Sequence, residues 1–195
     1  MQSLDAVTAM TPVVAELERL GVRYYVGGSL AASIYGLART TLDVDLVADL
    51  KSEHAAPLAV TLQPAYYISQ PMILDAIARK SCFNVIYLAN SFKVDVFVSK
   101  GREYDSTAFQ RVRRDTFDFE HSSDQFFFPS SEDVILAKLE WYRLGNEASE
   151  RQWRDIIEVM ATQQNILDRP YLAYWSDQLG VADLLAKVFK EAGAE

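Results

Sequence analysis

Residues 42–47 (LDVDLV) alternate in a period of two between apolar side chains and aspartates. Successive side chains of a β-strand point to opposite faces, so Asp43 and Asp45 share one face and their apolar neighbours share the other. Two carboxylates this close repel each other unless a cation or a basic group offsets their charge. The pattern suits shared ligation of a hard cation such as Mg²⁺. An edge strand with two polar, solvent-facing positions would give the same pattern.

Composition limits the classes of protein to which the chain can belong. Half of its 195 residues are apolar and 24% are charged, which is typical of one compact unit with a real core and a small helical appendage. The net charge of −8 argues against nonspecific coating of nucleic acid, because that binding depends on Lys and Arg neutralising phosphates. The lone cysteine, Cys82, excludes an intramolecular disulfide. Without a secretion signal or about 20 consecutive apolar residues, we expect a cytoplasmic protein that is not bound to membranes.

Hydrophobic periodicity and capping patterns predict helices alternating with strands, followed by helices alone. The predicted strands cover residues 22–26, 42–47, 65–68, 83–88, 93–98, 117–119 and 126–128. The predicted helices begin at Thr11-Pro12 and end at Gly21, then cover 29–35, 52–62, 71–80, the middle of 101–114, 130–142, 149–163, and one or two segments after Pro170. The predicted fold class is therefore mixed α/β (α+β). A small mixed sheet flanked by helices occupies residues 1–129, and a helical part occupies 130–195.

A third acidic residue stands alone in another strand-like run. Asp95 is the one acid in an apolar, β-prone segment that forms a predicted hairpin with residues 83–88, with Asn90 in the turn. Lys93, Asp95 and Phe97 share one face of this segment. Three aspartates on adjacent strands can hold two divalent ions, one activating an attacking hydroxyl and one binding a triphosphate.

A glycine pair lies at a predicted strand-to-helix junction before the acidic strand. Gly27 and Gly28 allow the backbone to approach a phosphate, the following helix presents free N–H groups, and the Ser29 hydroxyl can donate another hydrogen bond. The alternative is a plain glycine turn that ends a strand. The P-loop pattern GxxxxGK(S/T) and the third glycine of GxGxxG are both absent.

Residues 26–47 resemble the signature of the DNA polymerase β-like nucleotidyltransferase superfamily, which combines a Gly-Gly/Ser turn with a downstream Asp-x-Asp strand. The RxTxDxDL form is similar to that of the minimal nucleotidyltransferases and of AbiEii-type toxins from bacterial toxin–antitoxin systems. Here it consists of Arg39, Thr41, Asp43, Asp45 and Leu46. The run KVDVF at residues 93–97 is similar to the third-carboxylate strand of the superfamily. Beyond residue 100, the resemblance rests on Lys138 and the pair Arg154-Asp155.

The resemblance implies a nucleotidyltransferase catalytic domain over residues 1–129, with the helical part over 130–195 packed on it. It also implies two Mg²⁺ or Mn²⁺ ions and an NTP such as ATP as substrate. Asp43 and Asp45 would bind both ions, and Asp95 would bind one and help to deprotonate the acceptor. The implied nucleotide-binding residues are Gly27, Gly28, Ser29, Arg39, Thr41 and Lys138.

Several basic residues have more than one interpretation. Arg39 is either a phosphate ligand or an ordinary surface or salt-bridged arginine. Lys138 falls on an apolar stripe of its predicted helix, so its ammonium either extends to solvent or points into a site. The basic run at residues 111–114 is either a solvated helix face or a contact for a polyanionic acceptor. Neither His54 nor His121 has a second ligand at zinc-site spacing.

The sequence thus predicts an enzyme that moves a nucleoside monophosphate from an NTP to a hydroxyl or phosphate of an acceptor and releases pyrophosphate. The resemblance to toxins favours an RNA end, such as that of tRNA, or a protein hydroxyl as acceptor, with an antitoxin as a possible protein partner. The negative net charge leaves a small, aminoglycoside-like acceptor as the alternative. Two noncatalytic alternatives are a partner-binding protein on the same fold and a Ca²⁺ module built on Asp43 and Asp45.

Overall fold

A computed structural model of the chain describes residues 2–36, 43–116 and 124–194. The helices are α1 (Gln2–Arg19), α2 (Gly28–Tyr35), α3 (Ser52–Leu62), α4 (Gln70–Arg79), α5 (Glu103–Gln110), α6 (Ser131–Leu144), α7 (Glu150–Gln163), α8 (Arg169–Gln178) and α9 (Ala182–Glu191). The strands are β1 (Tyr24–Val26), β2 (Asp43–Ala48), β3 (Tyr66–Tyr67), β4 (Cys82–Tyr87), β5 (Lys93–Val98), β6 (Arg113–Thr116) and β7 (Gln125–Phe128).

The larger sheet is mixed and has the strand order β1-β2-β5-β4-β3. β2 and β5 run parallel, whereas the other neighbouring pairs run antiparallel. Helices α1 and α4 pack against this sheet, and β6 and β7 form a separate antiparallel pair. The predicted fold class, a mixed α/β sheet with flanking helices followed by a helical part, is confirmed. The strand predicted at residues 117–119 lies outside the described residues.

Burial alternates along β2 as the sequence predicts. Val44, Leu46 and Ala48 are completely buried, whereas Asp43 and Asp45 are half-buried on the opposite face. The valines of β5 are buried in the same way. Apolar side chains on one face of this pair therefore form the core, and the acidic side chains lie on the other face.

The β4–β5 hairpin has the turn that the sequence predicts. The side-chain oxygen of Asn90 accepts a hydrogen bond from the Phe92 N–H at 3.0 Å, and Ser91 adopts a φ of +58°. Asparagine commonly stabilises turns by bonding to the backbone two residues on. β5 has its predicted bounds, whereas β4 starts and ends one residue earlier than predicted, at Cys82 and Tyr87.

The prediction that the first helix begins at Thr11-Pro12 is wrong. The helix begins at Gln2 and contains Pro12, and the Thr11 hydroxyl donates to the Val7 carbonyl at 2.9 Å. A proline inside a helix removes one backbone hydrogen bond. The side chains buried by the turns before it are Ala6, Val7, Ala9 and Met10. Burial of this apolar face extends the helix through the proline.

The basic run at residues 111–114 does not lie on a helix face, which corrects that interpretation. Arg113 and Arg114 belong to β6, after the end of α5. Arg113 forms an ion pair with Asp115 at 3.7 Å, and Arg114 forms one with Glu18 at 3.0 Å. Neighbouring acids therefore offset part of the positive charge of this run.

The chain divides into two compact units. The first comprises Met1–Leu30 and Thr40–Phe128, and the second comprises Ala31–Arg39 and Pro129–Glu195. The first contains the mixed sheet and the β6–β7 pair, and the second contains α6 to α9 with the end of α2. The assignment of residues 1–129 to a catalytic domain stays a prediction. Among the described helices, none has both the length and the apolar composition that crossing a membrane requires.

Serine side chains cap two helices of the second unit where the sequence predicts them. Before α6, the Ser130 hydroxyl oxygen accepts from the Asp133 N–H at 3.2 Å. Before α7, the Ser149 hydroxyl oxygen accepts from the Gln152 N–H at 3.3 Å. Such caps satisfy backbone donors that have no partner within the helix, so the predicted starts of both helices are confirmed.

Lys138 forms a buried ion pair inside the second unit. Its ammonium donates to the Asp155 carboxylate at 2.9 Å, and the two side chains are only 11% and 6% exposed. The interpretation in which this ammonium extends to solvent is therefore wrong. Because a buried charge that loses its partner remains desolvated, each member of such a pair depends on the other.

Replacing one member of this pair should destabilise the second unit more than replacing both. Lys138→Met leaves Asp155 charged in the interior without its ammonium partner, which should lower the free energy of unfolding by about 3–5 kcal/mol. Combining Lys138→Met with Asp155→Leu removes both charges and should recover most of that loss. Urea unfolding followed by circular dichroism measures the difference. A double variant as unstable as the single variant would contradict the expectation.

Candidate functional site

The predicted catalytic carboxylates lie on two neighbouring parallel strands. In the register of β2 with β5, Asp45 lies opposite Asp95, and Asp43 lies opposite Lys93. Neighbouring strands are about 4.8 Å apart, and residues directly opposite each other point to the same face. The strand pairing therefore brings all three aspartates, together with one lysine, onto one face of the sheet.

Asp95 is the most buried of the three aspartates, with 8% exposure. One of its carboxylate oxygens accepts a hydrogen bond from the Lys93 ammonium at 2.7 Å. The other oxygen accepts one from the side-chain amide of Asn84, which lies opposite Asp95 in the register of β4 with β5. Both oxygens of this carboxylate thus have partners within the sheet, as a buried charge requires.

The Lys93 ammonium also approaches Asp43. Its Nζ lies 3.9 Å from the Asp43 Oδ2 atom, and both side chains are 42% exposed. The hydrogen bond to Asp95 raises the pKa of Lys93, burial opposes this rise, and the negative charges of the aspartates add to it. Lys93 is therefore an ammonium that contacts two of the carboxylates and offsets their repulsion.

Asp45 lies against the glycine turn. The Gly27 N–H donates to the Asp45 carbonyl oxygen at 2.8 Å. Gly28 has a φ of +56°, and a Cβ atom built on it would lie 1.7 Å from the Asp45 Oδ2 atom. Only glycine therefore leaves room for this carboxylate. Helix α2 begins at Gly28 with Ser29 in its first turn, and the positive end of a helix dipole favours a negative group.

The donor set suits a hard divalent cation, although the side chains are not arranged as a ready-made metal site. Carboxylate oxygens are the ligands that Mg²⁺ and Mn²⁺ prefer. A cation of the protein, the Lys93 ammonium, already lies where Asp43 and Asp95 come together. In the part of the chain that the structure describes, no group of three or more His, Cys, Asp or Glu side chains has the geometry to hold a metal ion. These carboxylates therefore fit a metal ion only once the ammonium has moved.

The remaining predicted nucleotide-binding residues are Arg39, Thr41 and Lys138. Arg39 and Thr41 lie outside the described residues. Lys138 belongs to the second unit, where its ammonium pairs with Asp155. The assignment of these residues to nucleotide binding stays a prediction.

Two residues that contact Asp95 were not assigned to the site from the sequence. The period-two pattern of residues 93–98 does place Lys93 on the acidic face, which was a signal for a basic partner. Asn84 could have been found by pairing residues outward from the hairpin turn, since that register brings it opposite Asp95. What the pattern cannot give is the direction of a long lysine side chain.

Comparisons with known proteins identify the fold. No protein-family model and no curated protein matches the chain. Among solved structures, the antibiotic-resistance factor ANT(2″)-Ia is similar with a TM-score of 0.54 and 10% identity, over 96% of this chain and 99% of that one. The lincosamide antibiotic adenylyltransferase LnuA has a TM-score of 0.51 and 12% identity, over 78% and 94% of the two chains. A nucleotidyltransferase-like protein from Paracoccidioides brasiliensis has a TM-score of 0.50 and 16% identity, over 93% and 91%.

At these identities, the similarity establishes the fold. The chain has the nucleotidyltransferase fold, which is the fold that the sequence resemblance implies. The aspartates predicted to be catalytic thus lie on the mixed sheet of this fold, and the contact between Asp45 and Gly28 links that sheet to the start of α2.

Gly28→Ala should disturb the site through the side chain of Asp45. Gly21→Ala is the matched control in the same unit, because Gly21 has a φ of +67° but no atom within 4 Å of a built Cβ. The control should cost about 1–2 kcal/mol, since an alanine in the left-handed region is strained. Gly28→Ala should cost at least about 1 kcal/mol more, because the Asp45 carboxylate must also move. Equal losses in urea unfolding would show that the carboxylate does not need this space.

Cys82 should report on the charge of the same face. Burial, together with the negative charges of Asp95 and Asp45, raises the pKa of this thiol from 9.0 to about 12, against the opposing effect of Lys93. At pH 8 its alkylation should therefore be roughly 1,000-fold slower than that of an ordinary thiol, because the thiolate is the reactive form. The rate should rise with pH beyond pH 9 without a plateau.

Asp95→Asn should speed this alkylation, since the variant removes a charge that disfavours the thiolate. Asp49→Asn is the control, because Asp49 follows β2 and pairs with Arg23 at 2.7 Å rather than with this face. Mass spectrometry of the alkylated chain over time measures both rates. A fast reaction at pH 8, or equal rates in the two variants, would argue against this account of the face.

Proposed function

We propose that the chain transfers a nucleoside monophosphate from an NTP to a hydroxyl or phosphate of an acceptor and releases pyrophosphate. The observation that carries this proposal is the placement of Asp43, Asp45 and Asp95 on one face of two paired strands, with Asp45 against Gly28 at the start of a helix. The nucleotidyltransferase fold supports the same reaction class. Bound Mg²⁺ or Mn²⁺, two ions in the proposal, would supply stabilisation of the charge that develops on the phosphates.

The proposed roles are those that the sequence resemblance implies for these residues. Asp43 and Asp45 would hold both ions, and Asp95 would hold one. Asp95 also accepts the proton of the acceptor hydroxyl, whose oxygen bonds to the α-phosphorus as the bond to pyrophosphate breaks. Backbone N–H groups at the start of α2, which begins at Gly28, and the Ser29 hydroxyl contact the phosphates, because the start of a helix offers backbone donors and a positive dipole end.

Two classes of acceptor fit this proposal. The sequence resemblance to toxins favours an RNA end or a protein hydroxyl, with an antitoxin as partner. The lone cysteine favours a reducing cytoplasm as the location. Small-molecule acceptors are supported by the similarity to ANT(2″)-Ia, which is known in complex with adenylyl-2″-tobramycin, and to LnuA, which is known with lincomycin bound. The net charge of −8 favours a cationic small molecule over a polyanion at long range.

A transfer assay with labelled NTPs separates these acceptors. The protein is incubated with each labelled NTP and Mg²⁺ in the presence of total RNA, cell protein or aminoglycosides. The fraction that gains label identifies the acceptor class. Absence of label in all three, together with a melting temperature that NTP and Mg²⁺ leave unchanged, would favour the noncatalytic partner-binding alternative, because a ligand that binds only the folded state must stabilise it. A response to Ca²⁺ without nucleotide would favour the Ca²⁺ module.

Asp45→Asn should lower the rate of label transfer by at least about 100-fold, because it removes a charged metal ligand while keeping the shape of the side chain. The fold should remain intact, since one of several repelling carboxylates becomes neutral. Asp49→Asn, which removes the same charge beyond the end of β2, should leave the rate unchanged. Circular dichroism confirms folding of both variants. Full activity of Asp45→Asn would overturn the proposed role of the carboxylates.

A further inference from the structure

The Lys93 side chain lies among the proposed catalytic carboxylates, but the proposed reaction gives it no role. Its ammonium lies 2.7 Å from an oxygen of Asp95 and 3.9 Å from an oxygen of Asp43. Asp43 and Asp95 are two of the three proposed metal ligands, so a protein cation and a metal ion would compete for the same oxygens. The inference that follows rests on the proposed function.

We propose that Lys93 is a displaceable counterion, whose ammonium holds Asp43 and Asp95 together until a divalent metal ion takes its place. Lys93 is thus a positioning residue that sets how tightly the site binds metal. The exchange replaces one positive charge by two, and the ammonium keeps its proton and moves into solvent.

The burial of Asp95 explains why a counterion is needed. This carboxylate is 8% exposed, and on the same face of the sheet it has Asp45 directly opposite and Asp43 nearby. Gathering three negative charges at a partly buried face is unfavourable unless a positive charge offsets them. Lys93 supplies that charge from the same strand, two residues before Asp95.

The exposure of Lys93 explains why the counterion can leave. Its side chain is 42% exposed, so water can solvate the ammonium as it leaves the carboxylates, and the ion pair breaks at little cost. Asn84 bonds to the other oxygen of Asp95. That contact can keep the carboxylate in position while the ammonium moves away, so exchange requires the rotation of only one long side chain.

Two substitutions of Lys93 should change metal affinity in opposite directions. Lys93→Met keeps the apolar stem but removes the competing charge, so the dissociation constant for Mn²⁺ should fall by about 3- to 10-fold. Lys93→Arg substitutes a guanidinium that binds carboxylates in a fork and stays charged, so the dissociation constant should rise. Lys100→Met is the control, because it removes the same charge from an exposed position just beyond β5, and it should change nothing.

Isothermal titration calorimetry with Mn²⁺ alone measures these constants without reference to activity. A melting curve adds a second readout: Lys93→Met should melt below the wild type without metal, and added Mn²⁺ should reduce or reverse the difference. Equal affinities in the wild type, Lys93→Met and Lys93→Arg, or a loss of binding in Lys93→Met, would overturn the counterion proposal while leaving the metal site in place. If the wild type and all variants fail to bind Mn²⁺, the proposed function fails as well.

Discussion

The parallel pairing of β2 with β5 is the constraint on which the candidate site depends. Asp45 lies opposite Asp95 only in the observed register, and a slip of one residue would turn Asp95 toward the apolar core. The apolar face of the sheet opposes such a slip, because its side chains are completely or almost completely buried in the core. They are Val44 and Leu46 on β2, and Val94 and Val96 on β5. The hydrophobic side of the sheet therefore specifies the geometry of its polar side.

Three carboxylates on one face of the sheet repel each other, and neighbouring groups offset this repulsion. Asp95 is partnered by Lys93 and Asn84, and Asp45 lies at the start of α2, where the helix dipole favours negative charge. The left-handed conformation of Gly28 belongs to the same arrangement, because any larger residue would meet the Asp45 carboxylate. Repulsion of this kind is commonly found where a protein gathers charge for chemistry.

Much of this site could be predicted from local patterns, and the rest depends on contacts distant in sequence. Alternation in period two correctly predicted the sheet face on which Asp43, Asp45 and Asp95 lie, because the residue order within each strand determines that face. The pairing of β2 with β5 could not be predicted from a local pattern, since about 50 residues separate the two strands. Rotamer choice sends the Lys93 ammonium toward the carboxylates. Similarly, Pro12 indicated a helix start locally, but burial of the preceding turns decided the start at Gln2.

The central claim, that the three aspartates hold metal ions beside the glycine turn, is tested most directly by a crystal structure with Mn²⁺ and a nonhydrolysable NTP. The account predicts anomalous density about 2.1 Å from oxygens of Asp43, Asp45 and Asp95, with the triphosphate at the start of α2 and the Lys93 ammonium displaced. A nucleotide bound elsewhere, or Mn²⁺ absent from these carboxylates while Lys93 still contacts Asp95, would contradict it.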